Sequence, residues 1–280
     1  MNIKTLTLAL AVLFIATNAG CRVSDSSASS RIQPSPQAEQ QATAIGDCGA
    51  VAKDQQHPVQ TVVRNPIRIV IFQDKSGSAN DTRTVQLNEG GFAAPINLLR
   101  CTGGELGIGI VDDLSNRPLV RLRIDAPPAP PTPPQARNVF QRAEEDGDYQ
   151  QRLNDYKDRV AKWTQETDRR VEAFLAQAGE LLKQNPNAKR TNVWSAVSRA
   201  DLYLNESDAS WSSPTNRYAI LNSDCQETAH TKPVQVKSGA QWIVVNGAGS
   251  TGVTEALKPE RFENPTAAFE FIKARELGGK

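Results

Sequence analysis

The run IRIVIF at residues 67–72 does most to limit what this chain can fold into. It is β-branched and almost wholly apolar, so neither of its faces can stay in water. It fits a central strand covered on both sides, as in a parallel sheet, better than a half-exposed one. The other periodic segments agree with that frame. Residues 105–111 alternate Leu106, Ile108 and Ile110, and residues 118–124 alternate Val120, Leu122 and Ile124. The Asp-Leu-Ser-Asn-Arg run between them is turn chemistry, which makes the two an edge hairpin. Residues 217–221 and 241–245 read as further strands, residues 193–204 and 266–274 as helices, and residues 90–100 as a helical segment interrupted by Pro95. Strands alternating with helices predict an α/β fold, a doubly wound and mostly parallel sheet with helices on both faces and an antiparallel edge hairpin. In such sheets ligands bind at the carboxyl ends of the strands.

Two segments interrupt the alternation. The run PPAPPTPP at 127–134 can be neither helix nor central strand and acts as a stiff extended spacer. Beyond Gly147, Tyr149, Leu153, Tyr156, Val160, Trp163, Val171, Phe174, Ala178 and Leu181 fall mostly three or four apart, the stripe of one long helix over 148–185 that ends near Pro186. At 1.5 Å per residue such a helix is about 55 Å long, more than the width of a small domain. Either its stripe packs on the sheet, or part of it projects as an arm that pairs with a partner helix.

With 280 residues, 39% of them hydrophobic, the chain can bury one full-sized core plus extensions. A formal net charge of +1 offers no broad field for phosphate backbones, so nucleic acid is not expected as a partner. At the amino terminus, Lys4 precedes an apolar run from Leu6 to Ala16, too short to span a bilayer but suited to a secretory signal. That run ends in Asn18-Ala19-Gly20-Cys21, which resembles the lipobox of bacterial lipoproteins except that Asn18 stands where Leu is usual. The resemblance implies a signal peptide over 1–20, lipidation of Cys21 and a membrane-anchored lipoprotein of the cell envelope. Ordinary cleavage near Ala19 is the alternative. Residues 21–60, rich in Ser and Gln, read as a flexible tether, and 61–280 as the folded domain.

The candidate chemistry sits beside the strands. Asp74-Lys75-Ser76-Gly77-Ser78 follows the central strand, Asn222-Ser223-Asp224 follows the strand at 217–221, and Arg190-Thr191-Asn192 precedes a helix. Asp, Ser and Thr supply only oxygen ligands, which suit a hard cation. Mg²⁺, or Mn²⁺, fits so sparse a set better than Ca²⁺. Asp74, Ser76, Ser78, Thr191 and Asp224 resemble, in order and in neighbouring elements, the metal-ion-dependent adhesion site of von Willebrand factor type A and integrin-type domains. The resemblance covers residues 67–274, with Cys225 where the family often has Gly. It implies that Asp74, Ser76 and Ser78 form the near shell, that Thr191 and Asp224 bind directly or through water, and that an acidic side chain of a partner protein completes the coordination. The metal would then bridge two proteins without breaking a bond, so no enzyme is expected. On that fold Cys48 and Cys101 lie at the edge opposite the metal loops and are expected to form a disulfide, while Cys225 stays free.

Rival signals are weaker. Gly247-Ala248-Gly249-Ser250-Thr251-Gly252 satisfies G-x-G-x-x-G after a strand, the alternative being a nucleotide-binding protein or enzyme. The stretch that follows holds Pro259 and Pro265, and no βαβ unit with a ribose-binding acid is expected to be completed there. His57 and His230 are the only histidines, and Ser76 lies outside any nucleophile elbow, which argues against serine hydrolysis. Trp194 and Trp211 are candidate contact residues, and a structural role in an envelope assembly, held by the long helix, is a third possibility.

Overall fold

The computed structural model describes residues 64–77, 85–133, 139–185, 188–207, 215–247 and 250–278. The elements, in chain order, are β1 (Ile67–Asp74), a 3₁₀ turn (Glu89–Phe92), α1 (Ala93–Thr102), β2 (Gly104–Val111), β3 (Val120–Ile124) and α2 (Val139–Leu182), followed by α3 (Val193–Asn205), β4 (Asn216–Asn222), β5 (Gln241–Val245), α4 (Gly252–Leu257), β6 (Glu260–Phe262) and α5 (Pro265–Leu277). They build one six-stranded sheet in the order β3-β2-β1-β4-β5-β6. Every pairing is parallel except β2 with β3, which run antiparallel at the edge. This is the doubly wound strand order, reversing direction between β1 and β4, and the fold is the α/β class that the alternation of elements implies.

All eight residues of β1 are buried. Ile67, Ile69 and Ile71 pack with α1, the carboxyl-terminal half of α2, and α5. Val70 and Phe72, on the opposite face, pack with α3 and with Val253 of α4. The sheet is therefore the middle of three layers, and burial of its apolar side chains on both faces is the main driving force for the fold. The turn from α1 into β2 requires glycine at two positions. Gly103 has φ 70° and Gly104 φ 131°, and a Cβ on Gly104 would lie 1.9 Å from the carbonyl oxygen of Ile67.

Three expectations need correction. Pro95 does not interrupt its helix, because it falls in the first turn of α1, where backbone N–H groups have no intrahelical acceptor to lose. The long helix spans Val139–Leu182 rather than 148–185, starting ahead of Gly147 and running through it. A mid-helix glycine costs about 1 kcal/mol against alanine, too little to stop a helix of 44 residues. A βαβ unit is completed after the glycine-rich turn: β5 and β6 pair in parallel and α4 lies between them in the chain. With six residues in α4 and three in β6, neither showed a periodicity to read.

Candidate metal centre

Asp74 is the last residue of β1 and, by strand alternation, falls on the sheet face covered by α3. Both its carboxylate oxygens are engaged. Oδ1 accepts the Ser76 amide at 2.7 Å and Oδ2 accepts the Ser223 hydroxyl at 2.5 Å. Ser76 is held in turn by a short backbone ladder to the segment after α2: Gly77 N–H donates to the Ala188 carbonyl at 2.9 Å and Ala188 N–H to the Lys75 carbonyl at 3.2 Å. Lys75, almost fully buried, points its ammonium at Gln86 Oε1, 3.0 Å away, and at the Leu182 carbonyl of the last turn of α2, 2.7 Å away. The loop after β1 is thus fastened to the end of the long helix.

Thr191 precedes Asn192, the residue that caps α3 by accepting the Ser195 amide. Its own backbone is fixed by the loop after β4: Thr191 N–H donates to Thr228 Oγ1 at 2.7 Å, and its carbonyl accepts the amides of Thr228 and Ala229. Glu227, from the same loop, accepts the Trp194 amide in the first turn of α3. Asp224, two residues beyond β4, accepts the Gln226 amide through Oδ1 at 3.0 Å. Its other oxygen, Oδ2, is buried without a hydrogen-bond partner, and the residue is 2% exposed.

Of the five sequence candidates, Asp74, Ser76 and Asp224 are therefore buried near one another at the carboxyl edge of the sheet, where the strand order reverses between β1 and β4, and Thr191, also buried, is bonded to the loop that follows Asp224. Ser78 lies outside the described residues, as do Cys21, Cys48, His57 and Trp211. Ser223, which the sequence motif does not single out, joins the two acidic loops by donating to Asp74 from the position next to Asp224. Nor does the motif single out Thr228 and Glu227, which tie the Thr191 loop down. Ser223 was legible only as the neighbour of an acid; its partner is 149 positions away in the chain. Trp194 is a core residue at 3% exposure, and His230 sits exposed on the loop after β4.

Burial pushes the Asp74 carboxyl above its usual range, opposed by the hydrogen bonds from Ser223 and Ser76, and the charge of Asp224 raises it further. Two acids held this way, one with an unsatisfied buried oxygen, match a cation in sign and in ligand type. Among the described residues no three His, Cys, Asp or Glu side chains converge, so hydroxyls and water would have to complete the shell of any bound ion.

The glycine-rich turn has a different character. Gly247 follows β5 and Gly252 opens α4, while Ala248 and Gly249 lie outside the described residues. Thr251 caps α4 itself: its hydroxyl accepts the Thr254 amide at 3.2 Å, while Thr254 Oγ1 accepts the Thr251 amide at 2.9 Å. The amides that a phosphate would seek are in part already bonded.

No family model matches the chain, and no curated protein matches it. Among solved structures it is similar to a von Willebrand factor type A protein from Catenulispora acidiphila, at 15% identity and a TM-score of 0.41. The similarity covers 77% of this chain and 44% of that one, so the chain spans less than half the length of that structure.

Proposed function

We propose that this protein is an exported, lipid-anchored binding module that holds Mg²⁺ or Mn²⁺ at the carboxyl edge of its sheet and captures a partner protein through an acidic side chain of that partner. The observation that carries the reading is the buried, unpartnered Oδ2 of Asp224 beside the loop that holds Asp74. Leaving such an oxygen dry and unbonded costs about 1–3 kcal/mol or more, a cost that a cation would remove. Asp74, Ser76, Thr191 and Asp224 would hold the ion, with Ser78 completing the motif. The ion supplies a positive centre that attracts a carboxylate, and no bond is broken. The two carboxylates balance the ion's charge formally, yet the cation remains the strongest local attraction for an incoming Glu or Asp. Cys21 would carry the lipid that anchors the chain on the outer side of the cytoplasmic membrane or beyond it.

Calorimetric titration of the chelator-treated protein with Mg²⁺, Mn²⁺ and, separately, with nucleotides tests the reading. Heat from the divalent ions that disappears in Asp74→Ala supports it. Nucleotide binding with no response to either metal would remove it in favour of the glycine-rich turn.

A further inference from the structure

Lys75 is a buried lysine, 5% exposed, standing between two of the proposed oxygen ligands, Asp74 and Ser76. Its charge works against that place in two ways. A buried cation is costly unless it is paired, and it repels an incoming divalent ion. The ammonium is nevertheless directed at two neutral oxygens instead of at either acid: Gln86 Oε1 at 3.0 Å and the Leu182 carbonyl at 2.7 Å. Asp74, for its part, is engaged by the Ser76 amide and the Ser223 hydroxyl. What these contacts supply is position.

They converge on Lys75 from distant parts of the chain. Leu182 is the last residue of α2, where a helix has carbonyls without intrahelical donors and the negative end of its dipole, so an ammonium is favourable there on both counts. Gln86 is bound at both ends, its oxygen accepting Lys75 Nζ and its amide nitrogen donating to the Asp74 carbonyl at 3.5 Å. The main chain of Lys75 is held as well. Its N–H donates to the Val111 carbonyl at the end of β2, at 2.9 Å, and its carbonyl accepts the Ala188 N–H at 3.2 Å. Ala188 lies shortly before Thr191. A displacement of Lys75 therefore moves Asp74 and Ser76 directly and Thr191 through Ala188, and the carboxyl end of α2 is one of the anchors that prevent it.

We infer that Lys75 is a positioning residue of the proposed ion site, holding the chain between Asp74 and Ser76 against the carboxyl end of α2, so that ion binding and the docking of that helix end are linked. The inference rests on the metal reading above, and Lys75 itself supplies no ligand. Linkage is reciprocal, so an ion that tightens the loop also tightens the last turn of α2. Charge and position predict opposite signs. An ammonium acting by charge alone would, on removal, leave the ion bound more tightly, whereas one that orients the ligands leaves it bound more weakly.

The test compares Mn²⁺ titration calorimetry of the chelator-treated full chain with that of Lys75→Met, and follows hydrogen exchange of the amides of residues 179–183 with and without Mn²⁺. Lys75→Met is expected to bind Mn²⁺ about tenfold more weakly, the size typical of a residue that orients a metal ligand. Lys183→Met removes the same charge from an exposed position just beyond α2 and is expected to change the affinity by less than about twofold. In the unaltered chain Mn²⁺ is expected to slow exchange of the Lys183 amide, which donates to the Gly179 carbonyl, and Lys75→Met is expected to lose that effect at saturating ion. Circular dichroism checks that the variants are folded. Equal or tighter Mn²⁺ binding by folded Lys75→Met overturns the inference and leaves the metal reading standing. Unchanged exchange in the unaltered chain, with Mn²⁺ bound, does the same and decides the question even where Lys75→Met fails to fold. No Mn²⁺ heat from the unaltered chain removes the metal reading and this inference with it.

Discussion

Removing Asp74 separates the roles of charge and scaffold in the proposed site. Asp74→Ala is expected to abolish Mg²⁺ and Mn²⁺ heats in calorimetry while the circular dichroism spectrum stays unchanged, because the residue ends a strand whose apolar packing does not depend on it. Ser76→Ala and Thr191→Ala should weaken the ion less, each removing one neutral oxygen that water can partly replace. Asp224→Asn acts in the opposite direction on the metal-free protein, since it relieves repulsion of Asp74 and an unpartnered buried charge. A gain of about 1 kcal/mol, or roughly 2–4 °C in Tm for a domain of this size, is expected in chelator, together with loss of the Mg²⁺-induced rise. The pH dependence has a definite sign. The folded-state value of Asp74 is raised, so its contribution to stability in chelator is fully present below its usual carboxylate value of 3.8 and is lost as pH climbs through the higher folded value. A thermal scan in chelator from pH 4 to 7 should show a decline that Asp224→Asn makes shallower. Asp74 and Asp224 were legible in the sequence because strand ends can be read from periodicity. The partnerless oxygen was not, because it depends on which amides of a distant loop point away.

Burial pushes the Cys225 thiol up to about 12, which leaves almost no thiolate near neutrality. Against an ordinary thiol of pKa near 8.5, alkylation at pH 8 should slow by about 10³-fold from thiolate fraction alone, before access is counted. Mass spectrometry of the Cys225 peptide after iodoacetamide treatment should find it unmodified in the native protein and modified in denaturant. Labelling at the unfolded rate would mean that the loop after β4 is open.

At the scale of elements, the two halves of α2 differ in burial. Phe174 is 2% exposed and meets Phe92 edge to face with ring centroids 5.4 Å apart, so Phe174→Ala should cost about 3–5 kcal/mol in chemical denaturation. Leu153→Ala, at a half-buried position outside both hydrophobic cores, should cost less, about 1–2 kcal/mol. Gly147→Ala should stabilise the amino-terminal half of α2 by up to about 1 kcal/mol, since nothing lies within 4 Å of where the new Cβ would sit. Slower amide exchange of the surrounding residues is the readout, and unchanged exchange would mean that the helix breaks at Gly147 in solution. The period of the stripe was visible in the sequence, but its division was not. Tyr149 and Phe174 obey the same spacing, and only the position of the sheet edge decides which of them reaches the hydrophobic core. The strands were legible for the converse reason: a run such as residues 67–72 has no amphipathic alternative, whereas the three residues of β6 are strand only because β5 is already there to pair with.

At the scale of the whole molecule, cysteine chemistry links the fold to the anchor. Cys101, in the last turn of α1, is disulfide-bonded, and Cys225 is a buried free thiol. The partner of Cys101 lies outside the described residues, where the sequence has Cys21 and Cys48. The two choices have different consequences. A bond to Cys48 closes a loop of about 54 residues, worth about 4 kcal/mol in the chain-entropy model, and leaves Cys21 free to take lipid. A bond to Cys21 would consume the thiol that the anchor requires. Peptide mapping without reduction is expected to join Cys48 to Cys101, and Cys21→Ala is expected to move the protein from the membrane fraction to the soluble one with the disulfide intact. A Cys21–Cys101 peptide would exclude lipidation of that molecule, and the tether would then fold back onto the domain instead of holding it to a bilayer. Were the Cys48–Cys101 bond found while Cys21→Ala stayed in the membrane fraction, attachment would instead have to come from another part of the chain.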